Sequence, residues 1–314
     1  MEEFSNKPND NELVSNDMET GAENTLENEP KGRNVFLIVE VIRHEKPGQT
    51  DKGMSADYLT KEGKDNATAK GPGIKAQAIG VYTSEKFRAQ ETGELVIENV
   101  NDGVKVINFE LTERSKKSYS SLKPENKFII RQRTELGEVK YLARIIPEAK
   151  AWAKEQVVAG GKGSETDFII QYYLDHEDRC KELGITGPQE AAEETAYRIY
   201  HEIMMTPRLK SDSEVHLLNV THGPKLEPFL QRILIMPDGE LGFKSVQEIG
   251  GSMNPGEGPK FLSSTDNNKK QTVKLELRGQ RYQLDLEKLK ELADNYGRRQ
   301  REKRDENQRQ REGK

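Results

Sequence analysis

Residues 35–44, VFLIVEVIRH, join an apolar segment of strand length to a cation and an imidazole. The segment is rich in β-branched residues, which predicts a strand that is buried on both faces of a sheet. Open α/β sheets bind their ligands beyond the carboxyl ends of the strands. Arg43 and His44 stand at that position, so they are the first candidate site residues.

Three further short apolar segments predict strands, at residues 80–83 (GVYT), 104–109 (VKVINF) and 215–220 (VHLLNV). Segments of helix-favouring composition lie between them, notably 87–97 and 188–205. Strands that alternate with helices favour a mainly parallel sheet with helices on both faces. We therefore expect an α/β protein built as a three-layer α/β/α sandwich.

The composition divides the chain into four parts. Residues 1–32 are acidic and poor in aromatic side chains, which predicts a disordered tail. A main domain is expected over 33–265, with a cap or insertion at about 115–186. In 270–296 the alternation of TVKLEL and RYQLDL predicts a β-hairpin, followed by a short helix. Residues 297–314 form a charged basic segment without a hydrophobic face, which predicts a disordered tail or a frayed helix.

Charge, cysteine content and hydropathy exclude several classes of protein. The net charge of -5 argues against a protein that mainly binds nucleic acid. The single cysteine, Cys180, excludes an intramolecular disulfide and a zinc site made of several cysteines, and it favours a reducing compartment. No apolar stretch is long enough to span a membrane, and the acidic N-terminus is unlike a secretory signal. These features predict a cytoplasmic protein that is not bound to a membrane.

Two later motifs also place polar side chains where a strand ends. In VYTSEKFRAQETGE a strand ends near Ser84, and the following helix presents Arg88 in its first turn. A helix N-terminus favours anions, and a guanidinium adds a two-pronged donor for phosphate. In LLNVTHG a strand ends at His222 and Gly223, where glycine allows a ligand to approach the backbone closely.

In this order and at similar spacing, the three motifs resemble those of the histidine phosphatase (phosphoglycerate mutase-like) superfamily. That pattern is strand-Arg-His-Gly-Glu, then Ser-Pro-x-x-Arg-Ala-x-x-Thr-Ala, then strand-His-Gly. The matching positions are Arg43-His44, Ser84, Arg88-Ala89, Thr92-Gly93 and His222-Gly223, with further similarity at 59–67 (LTKEGKDNA) and 111–113 (LTE). The resemblance covers roughly residues 34–262.

The resemblance implies phosphoryl transfer through an imidazole. An ordinary histidine is largely neutral near pH 7, so His44 would attack the phosphorus and carry a phosphohistidine intermediate. Arg43, Arg88 and His222 would neutralise the charge on the transferring group. By resemblance Glu113 donates the proton to the leaving alkoxide, and Glu110 is the alternative donor.

No metal and no cofactor is required for this scheme, and no metal-ligand spacing is found in the sequence. His176, His201 and His216 have none of the accompanying motif residues, so we expect ordinary structural roles for them.

Two departures from the family pattern bear on the candidate phosphate site. Glu45 stands where the family has glycine, and Glu85 replaces the proline that follows the serine. A carboxylate at position 45 would repel a bound phosphate unless it points away or pairs with a cation such as Lys46.

The main functional hypothesis is a phosphomonoester hydrolase that acts on a phosphorylated small molecule or a phosphoprotein. Two alternatives remain open: a phosphoglycerate mutase-type phosphotransferase, and a catalytically weak phosphatase-like module that binds a phosphorylated partner. Glu45 is the best support for the binding module. A third hypothesis, in which the basic C-terminal segment tethers RNA, predicts binding with steep salt dependence.

Overall fold

The computed structural model describes residues 30–49, 55–107 and 130–312. The strands in these ranges are β1 (Phe36–Arg43), β2 (Pro47–Gln49), β3 (Ser55–Leu59), β4 (Ala78–Thr83), β5 (Lys105–Val106), β6 (Arg131–Gln132), β7 (Glu214–Thr221), β8 (Leu234–Ile235), β9 (Lys260–Thr265), β10 (Gln271–Leu277) and β11 (Gln280–Leu284). The α-helices are α1 (Lys61–Lys70), α2 (Phe87–Glu98), α3 (Ile146–Val158), α4 (Glu165–Asp175), α5 (Glu177–Glu182), α6 (Pro188–Ile203), α7 (Leu226–Ile233) and α8 (Leu286–Glu312).

One large sheet organises the described residues, in the order β5-β4-β7-β1-β9-β10-β11-β8, with β6 also paired to β4. Strands β5, β6, β4, β7 and β1 are parallel to one another, and the strands from β9 onward add antiparallel pairs. Strands β2 and β3 form a separate small sheet. The parallel central strands and the C-terminal hairpin confirm the predicted α/β fold class.

Helices cover both faces of this sheet. On one face Val39 and Val41 of β1 belong to a buried cluster that includes Ile199 of α6 and Phe229 of α7. On the other face Ile42 packs in a cluster with residues of α2, β4 and β7. Successive side chains of a strand point to opposite faces, so the continuous apolar sequence of β1 supplies both cores. This is the three-layer arrangement that the sequence predicts.

The register of the parallel strands places three chain segments at the same edge. Arg43 at the end of β1 lies beside Thr221 at the end of β7, and Thr83 of β4 lies beside Val220 of β7. The ladder continues one residue further, because the His44 amide donates to the Thr221 carbonyl at 2.8 Å. The residues that follow β1, β4 and β7 therefore converge on one site.

The part of the insertion that is described, from residue 130 onward, contains α3, α4 and α5. The sequence of the insertion favours a helix over Pro147–Val158, and α3 confirms it. Helix α4 was not predicted, although Ser164 and Asp167 form a capping box at its start, a signal that is visible in the sequence. A buried cluster that includes Ile145, Tyr173 and Cys180 holds this region together.

Two predictions about the C-terminal region are corrected. The hairpin of β10 and β11 is not a separate unit, because β10 pairs with β9 and β11 pairs with β8 of the main sheet. The helix after it does not end near residue 295, and the segment 297–314, for which a disordered tail or a frayed helix is predicted, is helical as far as Glu312. Arg, Gln, Glu and Lys favour helix even without burial, and the segment contains no proline.

None of the described helices is long and apolar enough to cross a membrane.

The first half of α8 should stabilise the fold, and its exposed second half should not. Leu292 is fully buried, so Leu292→Ala is expected to lower the free energy of unfolding by about 2–5 kcal/mol, as core leucine truncations do. Residues 301–312 are exposed, so deleting 301–314 should change the free energy of unfolding by less than about 1 kcal/mol. Urea denaturation of both variants tests this, and similar stability losses in the two would contradict the packing of α8.

Candidate active site

His44 directly follows β1 and is almost fully buried. Its Nδ1 lies 2.7 Å from the carbonyl oxygen of Glu45, and its Nε2 accepts a hydrogen bond from Arg88 Nε at 3.1 Å. These two partners assign the proton to Nδ1 and leave the lone pair on Nε2. Burial, opposed by the hydrogen bond to the Glu45 carbonyl and aided by the Arg88 and Arg43 guanidiniums, lowers the pKa of His44 to about 3. The imidazole is therefore neutral at physiological pH, as a nucleophile must be.

His222 follows β7 and faces His44, with 4.9 Å between the ring centroids and the rings edge to face. Its Nε2 lies 2.6 Å from the Ser84 hydroxyl, which also accepts a hydrogen bond from the Lys86 amide. The Ser84 hydroxyl can therefore donate its own proton to His222 Nε2. The proton of the His222 ring then lies on Nδ1. That Nδ1 is buried and has no hydrogen-bond partner among the described residues. Burial strongly lowers the pKa of His222, so this ring is also neutral.

Arg88, in the first turn of α2, connects the two sides of the site. Its Nε donates to His44, and its Nη2 donates to the Glu138 carboxylate. The remaining Nη1 lies 3.3 Å from the Ala56 carbonyl and 3.5 Å from the Asp57 carboxylate, both at β3. The side chain is buried, so its charge acts where water does not screen it.

Arg43 lies beside the turn that follows β7. Its Nη1 donates to the Met253 carbonyl at 3.0 Å, and its guanidinium packs so closely on Gly223 that a β-carbon there would lie 3.3 Å from it. Its Nε is buried without a hydrogen-bond partner among the described residues. Burial lowers the pKa of Arg43, the Glu227 carboxylate raises it, and Arg88 lowers it.

The carboxylate of Glu45 points away from the imidazoles. It lies 3.6 Å from the Lys70 ammonium and packs against Gly256, where a β-carbon would clash with the carboxylate and where φ is +76°. The expected partner, Lys46, pairs instead with Glu62 at 2.6 Å. Lys70 is the actual cation because α1 brings its last turn to the buried Glu45 side chain. Glu45 is therefore no obstacle to an anion at His44.

Glu138 belongs to this site although the sequence motifs do not indicate it. Its carboxylate pairs with Arg88 and lies 3.8 Å from His222 Nδ1 and 3.4 Å from Lys86 Nζ. It follows β6 in the insertion, far in sequence from the motifs, and only the folded chain brings it there. The predicted proton donor Glu113 and its alternative Glu110 lie outside the described residues.

The other histidines have different surroundings. His216 Nε2 lies 2.9 Å from the Glu40 carboxylate within the sheet. His176 stacks on Tyr172, with 3.8 Å between the ring centroids, and His201 packs edge to face on Tyr197. In the ranges that the structure describes, no cluster of three or more His, Cys, Asp or Glu side chains could hold a metal ion.

Comparison with known proteins gives structural likeness only. No family model matches the sequence, and no curated protein is similar to it in sequence. Similar solved structures include a mycobacterial glucosyl-3-phosphoglycerate phosphatase, with 12% identity, a TM-score of 0.43, and coverage of 77% of this chain and 97% of that one. The Klebsiella phytase has 11% identity and a TM-score of 0.37, covering 78% of this chain and 83% of that one. The protein histidine phosphatase SixA, solved with tungstate, has 13% identity and a TM-score of 0.30, covering 75% of this chain and 93% of that one.

These neighbours belong to the histidine phosphatase superfamily, which the motifs of this chain resemble. Their identities of 11–13% and TM-scores of 0.30–0.43 indicate similarity in outline, so any statement about chemistry depends on the chain's own residues. The chain is thus similar to solved histidine phosphatases, and its own site joins two neutral imidazoles to a buried guanidinium.

Proposed function

We propose that the protein is a phosphomonoester hydrolase in which His44 is the nucleophile. The observation that carries this proposal is the pairing of two neutral imidazoles, His44 and His222, around the buried cation Arg88. The lone pair of His44 Nε2 faces Arg88, which can also hold the oxygens of an incoming phosphoryl group. A neutral nucleophile beside a fixed cation suits attack on a phosphate ester, because the ester is itself an anion.

In the first step Arg88 Nε turns from His44 Nε2 to a phosphoryl oxygen, the freed Nε2 lone pair forms a bond to phosphorus, and the P–O bond breaks with its electron pair leaving on the ester oxygen. The Nδ1 proton of His44 stays on the hydrogen bond to the Glu45 carbonyl, which holds the ring in place and stabilises the charge that develops on it. Arg88, Arg43 and the Nδ1–H of His222 are the donors for the three phosphoryl oxygens. In the second step water attacks phosphorus and the bond to His44 breaks, which restores the free imidazole.

Hydrolysis is favoured over a binding module by the position of Glu45. This residue was the main reason to expect a weak or inactive site, and its carboxylate is directed toward Lys70 instead of the imidazoles. A mutase would have to retain its substrate and return the phosphoryl group to it. A requirement for a three-carbon bisphosphate in turnover would favour that alternative.

Purified protein is expected to release p-nitrophenol from p-nitrophenyl phosphate, and a panel of sugar phosphates, nucleotides and phosphopeptides would then identify the preferred ester. The aryl ester tests the chemistry alone, because its leaving group departs readily and needs little recognition. Absence of phosphate release from every ester, together with retained binding of a phosphopeptide or phosphosugar, would contradict the hydrolase proposal and favour the binding module.

A further inference from the structure

The peptide carbonyl of Glu45 is the group that holds the nucleophile. It lies 2.7 Å from His44 Nδ1 and accepts the ring proton, which leaves the lone pair on Nε2. The amide of the same residue donates to the Thr92 hydroxyl of α2 at 3.1 Å. A rotation of the peptide that follows Glu45 would therefore move the imidazole and change the direction of its lone pair.

The side chain of Glu45 connects this residue to α1. It is 2% exposed, and its Oε1 lies 3.6 Å from Nζ of Lys70 in the last turn of α1. Lys70 Nζ also donates to the Gly256 carbonyl at 2.9 Å. The Gly256 amide in turn donates to the Arg43 carbonyl at 2.9 Å. Glu45, Lys70 and Gly256 thus connect the residues on both sides of His44.

This buried ion pair is absent from the family pattern, which has glycine at the position of Glu45. Gly256 leaves room for the carboxylate, since a β-carbon there would clash with it. Burial raises the pKa of Glu45, and the contacts with Lys70 and Asn66 of α1 oppose that shift. A buried ion pair contributes little net stability, because desolvation offsets the attraction. Its main effect here is therefore on geometry.

We propose that Glu45 and Lys70 are a positioning pair for the nucleophile, which fixes the Glu45 carbonyl and through it the tautomer and orientation of His44. This assignment rests on the proposed function and adds two residues that act through His44. With the pair in place, Nδ1–H stays on the carbonyl and Nε2 keeps its lone pair for phosphorus. Without the pair the peptide can rotate, and the ring proton can occupy Nε2, where it blocks attack.

Single substitutions assayed on p-nitrophenyl phosphate test the pair. Glu45→Gly introduces the residue of the family pattern, and Lys70→Met removes the cation with little change in side-chain length. We expect each to lower kcat by about 10–100-fold, the scale of a misplaced reacting group. KM should stay within about threefold, because the proposed donors to the phosphoryl oxygens are Arg88, Arg43 and His222.

Three further variants separate a joint role from two independent ones. Because the two side chains act as one unit, the double variant Glu45→Gly with Lys70→Met should lose no more kcat than the worse single variant. Lys70→Arg keeps the charge and should recover most of the rate. Lys46 is the matched control, since it follows Glu45 in sequence but pairs with Glu62 at the surface. Lys46→Met should keep kcat within about twofold of wild type.

The imidazole itself reports its positioning independently of turnover. In protein with ¹⁵N-labelled histidine, NMR should show a protonated Nδ1 and an unprotonated Nε2 for His44, assigned by the loss of these signals in His44→Ala. Lys46→Met should retain this tautomer, whereas Glu45→Gly and Lys70→Met should show Nε2 partly protonated. A merely structural role would lower the melting temperature and leave the tautomer of the folded protein unchanged.

Several outcomes would overturn the assignment. Wild-type kcat in Glu45→Gly or Lys70→Met would do so, as would losses that multiply in the double variant or an unaltered His44 tautomer in both. An equal loss in Lys46→Met would show a general effect of charge and would also contradict it. Wild-type protein that releases no p-nitrophenol would remove the proposed function, and the ring signals would then still decide whether the pair holds His44.

Discussion

His44→Ala is expected to lower kcat for p-nitrophenyl phosphate by at least about 10⁴-fold, because removing a covalent nucleophile removes the reaction path and leaves only binding and charge stabilisation. Among the described residues, the other imidazole of the site is His222. His222 Nε2 is engaged with Ser84, and its Nδ1 carries the proton in the tautomer assigned above. Steady-state kinetics with and without the substitution measures the loss.

A histidine outside the site provides the control for this experiment. His176 stacks on Tyr172 in the insertion, so His176→Ala removes an imidazole without touching the candidate site. Its kcat should stay within about twofold of wild type, as expected for a change away from the chemistry. Activity of His44→Ala at more than a few per cent of wild type would contradict the role of His44.

Arg88→Ala is expected to lower kcat by about 10²–10³-fold, the usual effect of removing one preorganised donor from a developing anion. Arg88 is buried and donates at once to His44 and Glu138, so its loss removes both positive charge and positioning. Binding of inorganic phosphate, measured by calorimetry, should weaken in parallel.

Arg88→Lys separates charge from geometry. A lysine keeps the charge but lacks the planar set of donors that contacts His44 and Glu138 at once. We expect it to recover only a small part of the lost rate. Full recovery would show that the charge alone suffices, and unchanged kcat in Arg88→Ala would contradict its place at the phosphoryl group.

Much of the site could be predicted from the sequence because its residues follow parallel strands. Val35 to Ile42 is recognisably a buried strand, and the carboxyl ends of β1, β4 and β7 must share an edge once the strands are parallel. His44, Ser84 and His222 are each the first residue after one of those strands. Their convergence is a consequence of sheet geometry, so it could be inferred without knowledge of side-chain contacts.

Other features could not be predicted because they depend on long-range contacts. The pairing of Glu45 with Lys70 depends on how α1 packs. Lys46 is adjacent to Glu45 in sequence, but Lys70 is the cation that contacts its carboxylate. The placement of Glu138 depends on the path of the insertion after β6. β10 joins the main sheet through β9, an antiparallel pairing that local sequence does not specify.

The phosphoenzyme is the most direct evidence for or against the nucleophile. Protein mixed rapidly with p-nitrophenyl phosphate and quenched in alkali, which preserves phosphorus–nitrogen bonds, would be digested and analysed by mass spectrometry. We predict one phosphoryl group on the peptide that contains His44, which is lost in acid and absent from His44→Ala. A phosphoryl group on Ser84 or any other residue, or turnover without a phosphorylated His44, would contradict the proposed mechanism.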